Sequence, residues 1–194
     1  MKTPPLQPAF LKPEYFNLDL PVGVIGIVYR PEPFMLVRIF LPGNPRRNTR
    51  RLDTGQPPHA SDLPAGRKVR QVLEFFEAYC SKRSGKVPWD LLHLGEYTPL
   101  ERLVWEKTSA VPFGQTVSYG KIARDMGRPR SARFVGNALG KNPFPILIPC
   151  HRIVRADGGL GGFGSGIDMK RRLLTFEGVK YLAVSCATDD GMVS

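Results

Sequence analysis

The sequence predicts a mixed α/β protein of the α+β kind, in which strands come early in the chain and helices dominate later. Two β-rich runs, at residues 23–30 and 34–41, stand near the start, and helical patterns fill the chain from Thr98 onward. Of the 194 residues, 42% are hydrophobic and 10% are aromatic, which is enough apolar material for a buried core. The chain is therefore expected to form one folded domain or two small ones.

In the first half, the two β-rich runs are separated by a Pro-Glu-Pro segment, and this spacing predicts an antiparallel pair. Residues 65–80 then predict a helix, because apolar side chains recur along them at helical spacing. Its apolar stripe consists of Val69, Val72, Leu73, Phe76 and Tyr79. Residues 42–66 are rich in Pro, Gly, Arg and Asp and predict a long loop. We find no cluster of chemically reactive residues in this half, which suits a scaffold.

The motif Thr98-Pro99-Leu100-Glu101 marks the start of a helix, since it combines capping-box spacing with proline at the first helical position. A second, short helix is predicted over residues 118–126, stopped by Gly127, and a third within residues 128–140. Two short helices joined by a tight turn are typical of helix-turn-helix DNA-binding proteins. The expected organisation is a first domain at 1–95, a second at 96–180 and a tail at 181–194.

The formal net charge of +11 is large for a chain of this length. Such a field attracts polyanions, either nucleic acid or an acidic membrane face, and charge alone does not choose between them. Basic residues cluster at 44–51, 127–133 and 170–172. Each cluster by itself is typical of a solvated loop or helix face. Together with the helix-turn-helix pattern, however, the charge favours nucleic-acid binding.

Several features bear on where the protein works. No run approaches the roughly 18 apolar residues of a membrane span, and the start of the chain lacks the apolar block of a secretory signal. The three cysteines, Cys80, Cys150 and Cys186, show no paired spacing, which suits a reducing compartment. We therefore expect a cytoplasmic protein, or a nuclear one in a eukaryote.

Cys150 is the residue with the most unusual surroundings, because a buried-looking Pro-Ile-Leu-Ile-Pro run leads into Cys-His-Arg. A free cysteine is most often a small packed hydrophobe, and the preceding run predicts a short buried strand that supports this reading. The polar pair that follows favours a nucleophile, since a reactive thiol needs a base or a positive field. A structural zinc site is disfavoured because adjacent Cys and His do not match the usual ligand spacings.

Downstream, residues 158–166 read Gly-Gly-Leu-Gly-Gly-Phe-Gly-Ser-Gly. The spacing matches the dinucleotide fingerprint, but too little chain remains for the βαβ unit that this fingerprint requires. A loop whose backbone approaches a flat ligand is the better interpretation. The following helix is predicted to end at Gly178 with Glu177 in its last turn, where a carboxylate opposes the helix dipole. A specific partner such as His151 would explain that placement.

These motifs together resemble the O6-alkylguanine-DNA alkyltransferase family. The resemblance rests on the segment around Pro-Cys-His-Arg, on Ser-Tyr-Gly-Lys-Ile-Ala and Ser-Ala-Arg-Phe-Val-Gly upstream, and on the glycine loop and Leu-Leu-Thr-Phe-Glu-Gly downstream. It covers residues 99–178. Over the first half the likeness is architectural only and implies an RNase H-like domain, followed by a winged-helix or helix-turn-helix-like domain that carries the active site.

The family resemblance implies a specific chemistry. Cys150 would take the alkyl group from O6 of guanine in double-stranded DNA, once per molecule, and no cofactor would be involved. Cys150 would be activated through a water by His151, which Glu177 orients. Asn142 would fix the turn that carries the active-site segment, and Tyr119 would donate to the departing base.

The resemblance also implies binding residues and partners. The flipped base would be held by Pro145, Ile153, Phe163, Gly164 and Ser165, with backbone N–H groups of Ile153 and Gly164 receiving O6. The DNA would be contacted through its minor groove by Ser131, Ala132, Arg133, Gly136 and Tyr119, with Arg133 filling the space left by the base. Some family members bind zinc in the first domain. Here Cys80, His59 and His93 do not form a matching ligand set, so no metal is expected, and the protein is expected to be a monomer without a membrane partner.

The sequence departs from the family pattern at three places. Phe163 stands where a tyrosine is often found, so stacking on the base should survive without the hydroxyl contact. Gly164-Ser165 replaces the more usual Ser-Gly, and Phe134 follows Arg133 where a small residue is common. Two alternatives remain open: a non-catalytic alkyltransferase-like damage sensor, which would lack the acceptor thiol, and a helix-turn-helix regulator with an incidental cysteine.

Overall fold

The first half of the chain contains a three-stranded antiparallel sheet. The computed structural model describes residues 12–42, 58–62 and 66–179. The strands are β1 (Glu14–Leu20), β2 (Gly23–Pro31) and β3 (Phe34–Phe40), and they follow one another in the sheet in chain order. Strands β2 and β3 confirm the predicted pair. Strand β1 was not predicted, although its Phe16, Leu18 and Leu20 alternate as a half-buried strand requires.

The first helix, α1 (Arg67–Cys80), confirms the helix predicted at 65–80. Its buried residues are Val72, Phe75, Phe76 and Tyr79, while Val69 and Leu73 are half-buried against the same core. Phe75 was not part of the predicted stripe, but it lies next to Phe76 at near-perpendicular ring geometry. Of the predicted loop at 42–66, the described residues are Pro42, 58–62 and Gly66, and 58–62 contain a short 3₁₀ turn at Ala60–Asp62.

The second half begins with α2 (Pro99–Ser109), whose start matches the predicted capping box. The Glu101 N–H donates to the Thr98 hydroxyl, and the Glu101 carboxylate accepts from the Thr98 N–H at 2.9 Å. Because both exchanges satisfy groups that a helix start leaves unpaired, the boundary of α2 is well defined. The Trp105 indole in the middle of α2 donates to the Ala138 carbonyl at 3.0 Å, which ties α2 to the helix that contains Ala138.

Two short helices follow, α3 (Tyr119–Asp125) and α4 (Ala132–Gly140), as predicted. Ser118 caps α3 by accepting from the Lys121 N–H, and Gly127 ends it in the left-handed region at φ 72°. The chain then forms a two-stranded parallel sheet from β4 (Val117–Ser118) and β5 (Ile153–Val154), and ends its described part in α5 (Ile167–Phe176). Gly178, at φ 76°, follows the Glu177 cap as the predicted helix stop requires.

The strand predicted at Pro145–Pro149 is wrong. These residues are buried, but they form tight turns in which the Ile148 N–H donates to Phe144 and the Cys150 N–H donates to Ile148. Pro149, at φ −78° and ψ 62°, has the conformation of an inverse γ-turn. The backbone groups of this apolar run are therefore satisfied locally, without a neighbouring strand.

The solvated face predicted for the basic cluster at 170–172 is also wrong for one residue. Lys170 is completely buried on the inner side of α5, next to Met169 and Leu173. Arg171 pairs with Asp168 at the surface, and Arg172 donates to the Val22 carbonyl in the first half of the chain. The basic cluster at 44–51 lies outside the described residues, and so does the tail from residue 180, which contains Cys186. Within the described part, no helix is long and apolar enough to cross a membrane.

Candidate active site

A cavity of about 770 Å³ lies where the second half of the chain meets strand β3. One side is the turn that carries Asn142, Pro145 and Cys150. A second side consists of Tyr119 at the start of α3 and of Gly136 and Leu139 on α4. Residues 162–165 of the glycine loop close a third side. The volume of the cavity falls in the range of about 300–1,000 Å³ that is typical of small-molecule binding sites.

The Cys150 thiol opens onto this cavity although only 9% of the residue is exposed. Cys150 begins the 3₁₀ turn Cys150–Arg152, directly after the γ-turn at Pro149. Burial raises the pKa of the thiol, and a hydrogen bond from Asn142 opposes this rise in part. The thiol is therefore neutral near pH 7 and needs a base before it can act as a nucleophile.

Asn142 is the residue that fixes the Cys150 turn. Its Nδ2 donates to the Ile148 carbonyl at 2.9 Å and to the Cys150 Sγ at 3.3 Å, while its Oδ1 accepts from the Phe144 N–H at 2.9 Å. A single side chain thus satisfies two backbone groups in a proline-rich bend and contacts the sulfur. This arrangement holds the sulfur at one position in the cavity.

His151 and Glu177 form a completely buried pair, with His151 Nε2 at 2.7 Å from Glu177 Oε1. Burial lowers the pKa of His151, only partly opposed by Glu177, so the imidazole is neutral. Burial acts to raise the pKa of Glu177, but hydrogen bonds and charges from His151 and Arg152 outweigh it and hold that pKa at about 2. An ionised carboxylate only accepts, so Nε2 carries the proton. Nδ1 then presents a lone pair, and it has no hydrogen-bond partner among the described residues.

Arg152 is a member of this cluster that the sequence reasoning missed. Its guanidinium donates to both oxygens of Glu177, at 2.8 and 2.9 Å, and to the Val111 carbonyl at 2.7 Å. The Gly114 N–H adds a further hydrogen bond to the same carboxylate. Because a fork of two parallel bonds orients a carboxylate strongly, Arg152 explains why a buried Glu177 stays charged. The sequence signal for a buried Arg152 was the apolar run before Cys150, which is followed by the two basic residues His151 and Arg152.

Tyr119, the half-buried first residue of α3, lies against the glycine loop. Burial, and then Cys150, raise the pKa of its phenol, which stays protonated at neutral pH. Gly161, at φ 67°, passes so close that a Cβ on it would lie 2.8 Å from the Tyr119 hydroxyl. This position therefore requires glycine. The Lys170 Nζ lies 6.0 Å from the Tyr119 ring centre.

Lys170 joins β5 to the glycine loop. Its Nζ donates to the Ile153 carbonyl at 2.6 Å and to the Leu160 carbonyl within the glycine loop. Burial lowers the pKa of this amine to about 8, and Cys150 acts in the opposite direction. Helical spacing could have identified the residue, because Lys170 stands three positions before the buried Leu173.

The predicted base-binding residues divide into two groups. Pro145, Phe163, Gly164 and Ser165 line the cavity. The Ile153 N–H donates to the Cys150 carbonyl in this structure and closes the 3₁₀ turn, and its role as a hydrogen-bond donor to O6 stays a prediction. Its side chain is completely buried and does not line the cavity. The Gly164 backbone remains as the donor that the prediction named.

The predicted DNA-contacting residues lie together at the start of α4. Arg133 is exposed on the first turn, beside Ser131 and Ala132, which are half-buried. Gly136, one turn further, is close enough to Tyr119 that a Cβ on it would contact the ring at 3.8 Å. Arg133 thus lies on the first turn of α4, and the residues of α4 that line the cavity with Tyr119 follow it at Gly136, Leu139 and Gly140.

Known proteins resemble this chain along most of its length. Residues 99–179 match the family model described as 6-O-methylguanine DNA methyltransferase, DNA binding domain. A methylated-DNA–protein-cysteine methyltransferase of Mycolicibacterium paratuberculosis is 33% identical over 165 residues, which are 84% of this chain and 92% of that protein. The chain belongs to the methylated-DNA–protein-cysteine methyltransferase family.

Solved structures support the same family. The O6-methylguanine methyltransferase of Mycobacterium tuberculosis has a TM-score of 0.62 and 30% identity, over 86% of this chain and 93% of that one. A structure of the M. tuberculosis OGT in complex with DNA gives the same score and identity over 85% of this chain. The matched range 99–179 of this methyltransferase-family chain includes Cys150, His151 and Glu177. Strand β3, which also borders the cavity, lies outside that range.

Proposed function

We propose that this protein repairs DNA by transferring the alkyl group of O6-alkylguanine to its own Cys150. The observation that carries the proposal is a thiol at the cavity wall that is held by Asn142, beside a neutral buried imidazole. An ionised Glu177 orients this imidazole, and its Nδ1 has no hydrogen-bond partner among the residues that the structure describes. A nucleophile, a base and a residue that orients the base are the three parts that thiol activation needs.

The transfer begins when the Cys150 proton passes through a water to Nδ1 of His151. The thiolate sulfur then attacks the alkyl carbon, and the bond between that carbon and O6 breaks with its electron pair going to guanine. Tyr119 donates a hydrogen bond to the guanine ring nitrogen that gains negative charge, and the Gly164 N–H donates a hydrogen bond to O6. Over the whole reaction the proton of the thiol ends on guanine. No cofactor takes part.

The product explains why each molecule reacts once. A thioether on Cys150 has no thiolate form, and among the described residues no second cysteine lines the cavity to take the alkyl group. The protein is therefore used up in equal amount with the lesion.

A damaged base in duplex DNA must leave the base stack to reach Cys150 in the cavity. We infer that α3 and α4 act as a helix-turn-helix unit and that α4 enters the minor groove, where a protein that inspects any sequence needs little base reading. The guanine is flipped into the cavity at a cost of about a few kcal/mol, which is lower for damaged pairs. Arg133 fills the vacated position in the stack.

The chain organisation proposed from the sequence fits this function. Residues 1–95 form an RNase H-like scaffold domain, and residues 96–180 form the domain that binds DNA and accepts the alkyl group. The protein acts as a monomer in the cytoplasm, or in the nucleus of a eukaryote. A damage sensor without an acceptor would need another residue in place of Cys150.

A titration tests the proposed function. Duplex oligonucleotide with one O6-methylguanine is mixed in molar excess with the protein, and restored guanine is measured by chromatography after digestion. We expect restored guanine to equal the amount of protein and then to stop rising. Continued turnover would contradict the single-use mechanism, and no restoration would contradict the repair function.

A further inference from the structure

The side chain of Tyr79 reaches from the first half of the chain to the surroundings of Glu177. Tyr79 lies near the end of α1 and is buried. Its ring packs against those of Phe113 and Phe176, with ring centres 5.7 and 5.3 Å away. Phe113 directly precedes Gly114, whose N–H donates to Glu177, and Phe176 directly precedes Glu177 itself. Tyr79 therefore contacts the two backbone segments that bring this donor and this carboxylate together.

The turn at Phe113 and Gly114 is also held by the segment after α1. The Phe113 N–H donates to the Ser84 hydroxyl at 3.2 Å. Gly114 has a φ of 75°, and a Cβ on it would lie 3.0 Å from the Glu177 carbonyl, so the turn and the end of α5 are in close contact. The Arg152 guanidinium lies 5.7 Å from the Phe113 ring centre. The first half of the chain thus holds one side of the surroundings of the Glu177 carboxylate.

The Tyr79 hydroxyl is a buried donor that completes no hydrogen bond with a described residue. The Glu177 carboxylate has about four acceptor positions, and they are filled by His151, Gly114 and two bonds from Arg152. Burial raises the pKa of the Tyr79 phenol. The charge of Glu177 and a contact between the two side chains raise it further, with Arg152 opposing. Because the acceptor positions are filled, this contact stays short of hydrogen-bond geometry, and a protonated phenol lies beside an ionised carboxylate.

A group that stabilises the charge of Glu177 also weakens the attraction of this carboxylate for a proton on His151. Burial lowers the pKa of His151, Glu177 opposes the decrease, and Arg152 and Lys170 add to it. Arg152 acts from the same turn as His151, while Lys170 and Glu177 act from α5 and its cap. The Tyr79 hydroxyl acts in the same direction as Arg152, since both stabilise the carboxylate. It therefore helps to keep the imidazole neutral and able to take a proton.

We propose that Tyr79 is a positioning residue for the base of the active site. Its ring fixes the turn that carries Gly114, and its hydroxyl restrains the Glu177 carboxylate that orients His151. The inference rests on the proposed function in so far as Cys150 needs this base, whereas the effect on the imidazole does not depend on a substrate. In the sequence Tyr79 belongs to the apolar stripe of α1, and a tyrosine in such a stripe indicates only a buried ring.

Tyr79→Phe removes the hydroxyl and keeps the ring. We expect the rate of Cys150 alkylation by O6-benzylguanine at pH 7, followed by intact mass, to fall about two- to fivefold, less than for a full hydrogen bond to a charged group. We also expect the pKa of His151 to rise, because Glu177 then attracts its proton more strongly. NMR titration of the histidine rings measures this pKa, and His151→Gln assigns the signal among the three histidines. The titration stays below pH 7, where Lys170, with its pKa of about 8, remains charged.

Two controls separate this role from general packing. Tyr29→Phe makes the same change at a buried tyrosine of β2 whose hydroxyl donates to Glu14. It should lower stability in urea denaturation while the alkylation rate and the pKa of His151 stay the same. In a His151→Gln background, Tyr79→Phe should leave the residual rate unchanged, because no base remains to be positioned.

Three results would overturn the role of Tyr79. The first is an unaltered rate and an unaltered His151 pKa in Tyr79→Phe. The second is a fall in rate that is equally large in the His151→Gln background, and the third is an equal fall in Tyr29→Phe.

The outcomes also distinguish this role from the proposed function. If the unmodified protein leaves O6-methylguanine in duplex DNA unrepaired, the repair function is wrong, and the NMR titration by itself shows whether Tyr79 acts on His151. If the protein repairs this base and Tyr79→Phe behaves as the unmodified protein does, the role of Tyr79 is wrong and the repair function stands.

Discussion

The thiol of Cys150 is buried, and its pKa is raised rather than lowered. Many reactive cysteines work in the opposite way, through a positive field that populates the thiolate before the substrate binds. Here the sulfur contacts Asn142, and the next residue, His151, is neutral and has one ring nitrogen without a hydrogen-bond partner in the described part of the chain. A neutral resting thiol suits the proposed role of Cys150, because an acceptor that reacts once must stay unmodified until it meets its substrate.

This arrangement predicts a specific pH profile for His151→Gln. Glutamine cannot take the thiol proton, so we expect the rate with O6-benzylguanine at pH 7 to fall by about 10²–10⁴-fold. The remaining reaction depends on spontaneous thiolate, and because the thiol pKa is raised, its rate should climb about tenfold per pH unit above neutrality. The unmodified protein should lose rate as pH falls and the imidazole becomes protonated, and should be nearly flat above.

The control for this experiment is His59→Gln, since His59 lies in the first half of the chain beside Asp19. It should keep the rate and the profile of the unmodified protein. A His151→Gln protein with an unaltered profile would remove His151 from the role of base.

Single residues were predictable where their chemistry was unusual in its local sequence. Cys150 and His151 interrupt an apolar run, and Glu177 opposes a helix dipole, so each stands out without a structure. Arg152 and the buried Lys170 carried weaker local signals, because a basic residue at a buried-looking position does not by itself identify its partner. Arg152 meets Glu177 across 25 positions of the chain.

At the scale of elements, the glycine loop shows how one backbone position supports another side chain. Gly161 lies at positive φ against the Tyr119 hydroxyl, whereas nothing lies within 4 Å of a Cβ placed on Gly162. The two neighbours therefore differ sharply in what they tolerate. The glycine loop and the Tyr119 side chain therefore hold each other in position.

Gly161→Ala tests this coupling. The added methyl must displace the Tyr119 ring and also strains the backbone, so we expect a loss of about 1–2 kcal/mol in unfolding free energy and a slower reaction with O6-benzylguanine. Gly162→Ala should change the unfolding free energy by less than about 0.5 kcal/mol. Urea denaturation measures both. Equal stability losses in the two variants would show that contact with Tyr119 is not the cause.

Elements with strong local signals were predicted correctly, including α1, the capped start of α2 and the α3–α4 pair. The strand predicted at Pro145–Pro149 failed because hydrophobicity reports burial and not hydrogen-bond partners. In this run the prolines and Asn142 satisfy the backbone in turns. Strand β1 was missed although its alternating pattern was present, since its polar positions resemble those of a loop.

At the scale of the whole molecule, the two halves of the chain share one buried core and both border the cavity. Strand β3 is bonded to the Asn142 turn, and Arg172 of α5 donates to Val22. No sequence pattern indicated that β3 forms a wall of the site, because this contact depends on how the two halves of the chain pack together. The scaffold interpretation assumed that the first half only supports the second. The structure shows that the first half also forms part of the cavity wall.

The position of Arg133 outside the cavity predicts a difference between two kinds of substrate. Arg133→Ala should keep the rate with free O6-benzylguanine, which needs no base flipping, and lower the rate with duplex O6-methylguanine about tenfold or more. Lys68→Ala, on the exposed side of α1, serves as the charge-matched control and should affect neither. Equal losses on both substrates would remove Arg133 from the proposed role in the base stack.

Cys150 is proposed as the alkyl acceptor, and the intact mass of the protein shows whether it accepts the group. The protein is incubated with a duplex oligonucleotide containing O6-methylguanine, and its mass is recorded with Cys150→Ser alongside. We expect a gain of one methyl group, located on the peptide that contains Cys150, and no gain in the serine variant. An unchanged mass in folded protein that still binds the oligonucleotide, or a methyl group on Cys80, would contradict the claim.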